Sequence, residues 1–116
     1  MSRCKVFYKI NSDIFETLGI LNGNRLTFME NDIKFILEFN NEELKIKWEN
    51  NEYKINLIIG KNSSCTYELK DIKYKKLVMN VDIKSLEINN NEIKAKYKLE
   101  DVIFNLYLKY EVIEWL

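Results

Sequence analysis

The sequence contains no histidine, no proline and only three glycines in 116 residues. The missing histidine removes the commonest general acid/base, the commonest metal ligand and the base of Ser-His-Asp hydrolases. The missing proline and scarce glycine exclude Pro-rich linkers, collagen-like repeats and Gly-rich phosphate loops. An excess of one charge is also absent, because 18 basic residues balance 18 acidic ones. Phosphate contacts supply most of a nucleic-acid binder's affinity and call for a basic surplus, so no nucleic-acid partner is expected.

Long apolar runs are lacking too. Triplets such as Leu57-Ile58-Ile59 are typical, far short of a membrane span. Met1-Ser2-Arg3-Cys4-Lys5 leads into no secretory apolar region, which predicts a cytoplasmic protein without membrane contact. Cys4 and Cys65 are the only cysteines and form no Cys-x-x-Cys pattern. They predict two reduced structural thiols rather than a disulfide framework or a zinc site, and neither metal nor cofactor is expected.

What is present is a folding composition: 47% hydrophobic, 13% aromatic and 31% charged. That suits one folded domain spanning residues 1–116. Alternation with period two dominates. Ile33, Phe35, Leu37 and Phe39 alternate with Lys34, Ile36 and Glu38. The same pattern returns at Leu44-Ile46-Trp48, Tyr53 to Ile59, Cys65-Tyr67-Leu69, Ile93 to Leu99 and Val102 to Val112. One apolar and one charged face per segment is the signature of an antiparallel sheet with one buried side.

Turn residues recur about every ten positions, at Asn22-Gly23, Asn40-Asn41, Asn50-Asn51, Gly60-Lys61-Asn62, Asn89-Asn90-Asn91 and Glu100-Asp101. Hairpin-length links make consecutive strands neighbours in an up-and-down order. Nine or ten strands result. So many in an open sheet would expose long edges, and closure into a barrel removes them. The phase of Ile72 and Tyr74 differs from that of Leu77, Met79, Val81 and Ile83, which predicts a bulge or bend at Lys75-Lys76. Gly19, inside the strand-like run Ile14 to Leu21, predicts a sharp bend. Ser12 could cap one helical turn over residues 11–18, but Ile14, Phe15 and Thr17 favour a strand.

The run Phe15-Glu16-Thr17-Leu18-Gly19-Ile20, followed by Arg25-Leu26-Thr27-Phe28, resembles the second and third strands of the YwiB-like family of small bacterial barrels. Ile59-Gly60, Cys65-Thr66-Tyr67-Glu68-Leu69, Lys84-Ser85 and the closing pair of strands follow in the same order, so the resemblance reaches Tyr110. It implies an all-β, antiparallel, up-and-down barrel of the lipocalin-like (calycin) kind. It implies no activity, since the family has none established. Lipocalin-like relatives hold small apolar ligands, an analogy of fold only.

Candidate chemistry is sparse. Glu42-Glu43, Asp82, Glu87 and Glu92 read as solvated surface. Glu16 has two readings: it shares parity with Ile14, Leu18 and Ile20, which turns it inward if they are core, whereas the parity of Phe15, Thr17 and Gly19 turns it outward. Inward, it would need a cation such as Arg25 or Arg3. Tyr8, Trp48, Tyr67 and Tyr97 share parity with the apolar faces and serve either as core or as the lining of a pocket. The lysines of Lys94-Lys96-Lys98 and Lys70-Lys73-Lys75-Lys76 serve as solvent-facing edge guards before they serve as a basic face. Ile103, Tyr107, Trp115 and Leu116 add surplus apolar surface, suited either to a covering segment or to self-association as a homodimer. The expected protein is therefore not an enzyme. It binds a small apolar or amphipathic ligand inside the barrel, with Tyr8, Trp48, Tyr67 and Tyr97 as lining and Glu16 with Arg25 as polar anchor. The alternative is a filled barrel acting through its outer surface.

Overall fold

The computed structural model describes residues 1–70 and 75–116. Among them every regular element is a β-strand: β1 (Ser2–Ile10), β2 (Asp13–Asn22), β3 (Arg25–Glu30), β4 (Ile33–Phe39), β5 (Leu44–Glu49), β6 (Tyr53–Ile59), β7 (Ser64–Leu69), β8 (Lys75–Met79), β9 (Val81–Asn89), β10 (Glu92–Leu99) and β11 (Val102–Trp115). No described helix is long and apolar enough to cross a membrane.

The strands form one antiparallel sheet in the order β8-β7-β6-β5-β4-β3-β2-β1-β11-β10-β9. The terminal strands meet, with β1 and β11 paired from Ser2↔Trp115 to Ile10↔Leu106, so the meander curls into a nearly closed barrel. The two ends of the sheet, β8 and β9, are separated in sequence only by Asn80. Ten antiparallel steps separate them in the sheet, so they run in the same direction. They are one chain run, bent at Asn80, whose first half pairs with β7 and whose second half pairs with β10. The bend is held from the β10–β11 turn: Glu100 N–H donates to the Asn80 carbonyl, and Asn80 N–H donates to Glu100 Oε1, both at 2.9 Å. This corrects the bend expected at Lys75-Lys76. There the β7–β8 register runs unbroken from Leu69↔Lys75 to Cys65↔Met79. Ile72 and Tyr74, which suggested the slip, lie outside the described residues, as does Lys73.

Tight hairpins follow from asparagine's tolerance of left-handed backbone. Asn11, Asn31 and Asn91 have φ of 54°, 53° and 65°, each in a two-residue loop, and Gly23 does the same between β2 and β3. The turns after β1, β3, β5, β7 and β10 lie at one end of the barrel, here the first end. The turns after β2, β4, β6 and β9 lie at the opposite end with both termini.

The interior is apolar because one side of each strand is. Among the described residues, 18 apolar side chains are buried, and Ser2 is the one buried polar residue. Each fully enclosed leucine or isoleucine, such as Leu37 or Ile59, contributes about 2 kcal/mol by leaving water. At Gly19 the barrel wall splits. β2 pairs with β3 only from Gly19↔Phe28 onward, and below that point the Thr17 hydroxyl reaches across to the Met29 carbonyl at 3.1 Å. What marks Gly19 is this splay from β3, while the β1–β2 register runs unbroken through Cys4↔Gly19. On β9, where no described strand pairs with the outer edge, a bulge at Lys84 interrupts the register and places Lys84 2.8 Å from Asp82. A bulge with a lysine is a common guard against stray edge pairing.

Candidate functional site

Tyr8, Trp48, Tyr67 and Tyr97 all face the interior, each opposite an inward partner: Tyr8 beside Phe15 and Leu108, Trp48 beside Phe35, Tyr67 beside Ile55, and Tyr97 beside Phe104. They are not one cluster. Tyr8 packs within an aromatic group of Phe15, Phe28 and Phe35, at centroid distances of 4.7, 6.0 and 5.7 Å, and Trp48 joins through Phe35 at 6.3 Å. Tyr67 stacks on Tyr53 at 5.7 Å, and Tyr97 stacks on Phe104 at 5.5 Å. Phe15, Tyr53 and Phe104 were not singled out in the sequence. Their phase with Tyr8, Tyr67 and Tyr97 was the signal that could have found them.

Tyr8 is 1% exposed, and its hydroxyl is a buried polar atom without a hydrogen-bond partner among the described residues. Burial pushes its pKa up, with a smaller contribution from Tyr97. Burial raises Tyr97 as well, with Cys65 adding to the effect. The three groups therefore share the lumen and are uncharged at neutral pH. The Cys65 thiol is pushed up to about 11 by burial, and Cys4 is raised by burial against a lowering hydrogen bond from the Leu21 backbone. Both cysteines are unpaired and buried. Cys65 is expected to react with a thiol reagent on the order of 100-fold more slowly than an exposed cysteine at pH 8, and quickly once the protein is unfolded. Rapid modification of the folded protein would contradict its burial.

Burial is uneven along the barrel. Val6, Leu26, Leu37, Leu44 and Ile59 are completely enclosed toward the opposite end. At the first end the inward Phe15, Trp48, Tyr53, Tyr67 and Phe104 are only half-buried, and Leu77, paired with Tyr67, is half exposed. At the first end, then, the inward aromatic rings are partly exposed, and Tyr8 lies buried inward of them.

Glu16 and Arg25 do not form the anchor expected inside. Glu16 pairs with Phe7 and is exposed on the outer wall, in phase with Ile14 and Leu18, which are also exposed. The apolar set that suggested an inward carboxylate is itself the outer face of β2, and the buried set is Gly19 with Phe15 and Leu21 beside it. Arg25 starts β3 on the outside, 3.9 Å from Glu38, and Arg3 is engaged with Glu114 at 3.0 Å. Lys94, Lys96 and Lys98 lie on the outer wall, where β9 sets Glu87 beside Lys94 and Asp82 beside Lys98.

The open concavities lie elsewhere. One of about 440 Å3 runs over the outer wall across Ile36, Asn56, Ile58 and Thr66. Another, of about 660 Å3, sits at the opposite end among Phe39, Tyr110 and the turn asparagines Asn40, Asn41, Asn90 and Asn91. Its asparagines serve the turns. Asn40 Oδ1 accepts from the backbone N–H groups of Glu42 and Glu43, both at 2.8 Å, and the Asn91 carbonyl accepts from Tyr110 N–H at 3.0 Å.

No family model matches the chain, and no curated protein matches it. Among solved structures, the chain is similar to the ywiB protein from Bacillus subtilis. The TM-score is 0.62 with 15% sequence identity, over 96% of this chain and 89% of that one. At that identity the likeness is one of fold. It supports the YwiB-like barrel expected from the strand order and carries no activity with it.

Proposed function

We propose that this barrel is a non-catalytic binding protein that takes a small apolar or amphipathic molecule through the aromatic mouth at its first end, with Trp48 and Tyr67 at the mouth and Tyr8 and Tyr97 beneath. The observation that carries this reading is the Tyr8 hydroxyl. A buried hydroxyl left without a partner costs roughly 1–3 kcal/mol, and folded proteins seldom retain one. An acceptor on a bound molecule would complete it. The half-buried aromatics above it supply apolar surface that a ligand would cover. The lipocalin-like (calycin) barrels that the family resemblance implies hold small apolar ligands, which is support by analogy.

The reading is non-catalytic because the lumen offers tyrosines and a thiol whose pKa values burial pushes upward. Such groups are poor nucleophiles and poor proton donors at neutral pH. Two unpaired buried thiols suit a reducing compartment, in keeping with a cytoplasmic protein.

A second reading has its own support. Trp115 is 79% exposed, beside exposed Ile113 and Leu116, at the end of β11. A homodimer would cover that surface, leaving the barrel as a scaffold.

Native mass spectrometry of protein purified gently from cells, without detergent, separates the two. A bound mass of a few hundred daltons that leaves on denaturation is the expected result. A bare monomer mass removes the ligand reading, and a bare dimer that persists on dilution replaces it with the second.

A further inference from the structure

At the opposite end two asparagine turns face each other over an aromatic floor. β4 and β11 are separated in the sheet by β3, β2 and β1, yet the curl of the sheet brings Phe39 and Tyr110 together, with ring centroids 6.0 Å apart. These rings and the partly buried Ile88 line the base of the concavity of about 660 Å3. Its sides are carboxamides: Asn40-Asn41 from the β4–β5 turn, and Asn89-Asn90-Asn91 from the end of β9 and the β9–β10 turn. Phe39 is half-buried, so part of its ring is open. Tyr110 is buried, which raises its pKa, and a hydrogen bond from the Asn91 backbone lowers it, so the hydroxyl sits at the β9–β10 turn.

None of the side chains lining this concavity is charged. The charges nearest to it in the chain are directed elsewhere. Glu43 lies 3.7 Å from Lys45, and Glu92 lies 3.4 Å from Lys94 while accepting from the Tyr107 hydroxyl. Glu111 and Lys109 are on the outer wall, opposite Lys5 and Phe7. Lys61 belongs to the β6–β7 turn, whose Gly60 abuts Glu42 and Glu43, and does not line the concavity. A phosphate or carboxylate settling among the asparagines would lose hydration and meet no cation. The carboxamides, by contrast, each offer two N–H donors and one acceptor. Asn40 uses its Oδ1 in the turn and keeps both donors. The side chains of Asn41, Asn89, Asn90 and Asn91 form no hydrogen bond among the described residues.

Uncharged groups that both donate and accept, set around an aromatic floor, match a molecule with the same division: no charge, many hydroxyls and one apolar face of C–H bonds. We propose that this concavity is a further binding site, for a neutral saccharide whose C–H face rests on Phe39 and whose hydroxyls pair with the carboxamides of Asn40, Asn41 and Asn90. The site lies at the end away from Trp48 and Tyr67. It stands whether or not the lumen holds a molecule of its own.

The test is proton–nitrogen correlation NMR of the full chain, titrated with maltose, with cellobiose and with glucuronate. At least one of the two neutral sugars is expected to shift the side-chain amide signals of Asn40, Asn41 and Asn90 saturably, with a dissociation constant on the order of 1 mM for so open a site. Glucuronate, a sugar ring with a charge, should shift them far less at the same concentration. The double variant Asn41→Ala/Asn90→Ala removes two exposed side chains that hold no turn together. It should keep its melting temperature and weaken the sugar about tenfold. Phe39→Leu keeps an apolar floor without a ring and should weaken it about fivefold, and if that variant fails to fold the double variant decides alone. No saturable shift with either neutral sugar at about 50 mM overturns the proposal. Unchanged affinity in the double variant overturns it too, and so do shifts as large with glucuronate as with the neutral sugars.

Discussion

Replacing Gly19 with valine is expected to destabilise the barrel by about 3 kcal/mol, roughly a 10 °C loss of melting temperature for a chain of this size. A Cβ at Gly19 would lie 2.9 Å from the Thr27 carbonyl oxygen, 3.0 Å from Val6 Cγ2 and 3.3 Å from Phe28 Cβ. The first contact is with backbone and cannot be relieved by a rotamer change. The second and third are with side chains of the packed core. Relief would require β2 to move away from β3 at the one stretch where they pair, Gly19↔Phe28 to Asn22↔Arg25, and the splay below would lengthen. Gly23 is the control. Its φ is +64° and a Cβ there meets nothing within 4 Å, so Gly23→Ala should cost only the backbone strain of about 1 kcal/mol. Thermal melts of both variants check the pair. Equal losses would mean that the close approach at Gly19 is not what holds the splay in place.

Tyr8→Phe is expected to act with the opposite sign. Removing the unpartnered hydroxyl should stabilise the ligand-free protein by about 1–2 kcal/mol, with little volume lost. The same change should weaken retention of the molecule bound in cells by about tenfold, since a buried hydrogen bond contributes roughly that much. Tyr107→Phe supplies the contrast. The Tyr107 hydroxyl donates to Glu92 Oε2 at 2.9 Å on the partly buried outer wall, so its loss should cost about 0.5–1 kcal/mol. Denaturant melts of ligand-stripped protein give both numbers. A destabilised Tyr8→Phe would show that the hydroxyl has a partner without any ligand, and the argument for a ligand would lose its main support.

Much of this architecture was legible because period two is a local property. Every inward tyrosine and tryptophan chosen from alternation faces the lumen, and the asparagine-rich breaks are the hairpin loops. Glu16 was legible only as a choice, because β2 is apolar on both sides. Ile14 and Leu18 make as good a core face by pattern as Phe15 and Leu21 do, and only the strands packed against β2 decide between them. The bend at Asn80 left no local mark. Asparagine is common throughout the chain, and what fixes the bend is Glu100, 20 residues away in sequence. The shared phase of Leu77, Met79, Val81 and Ile83 reads as one run, as β8 and β9 are, but says nothing of the bend within it. The unpartnered Tyr8 hydroxyl was also out of reach, since its lack of a partner depends on what Phe15, Phe28 and Phe35 place around it.

The most direct measurement is a crystal structure of the protein as it leaves the cell, purified without detergent. The account predicts density entering at the first end between Trp48 and Phe104, with an acceptor atom within about 3.2 Å of the Tyr8 hydroxyl. Density confined to the asparagine-lined concavity or the outer wall would contradict it, and so would an ordered water alone on that hydroxyl.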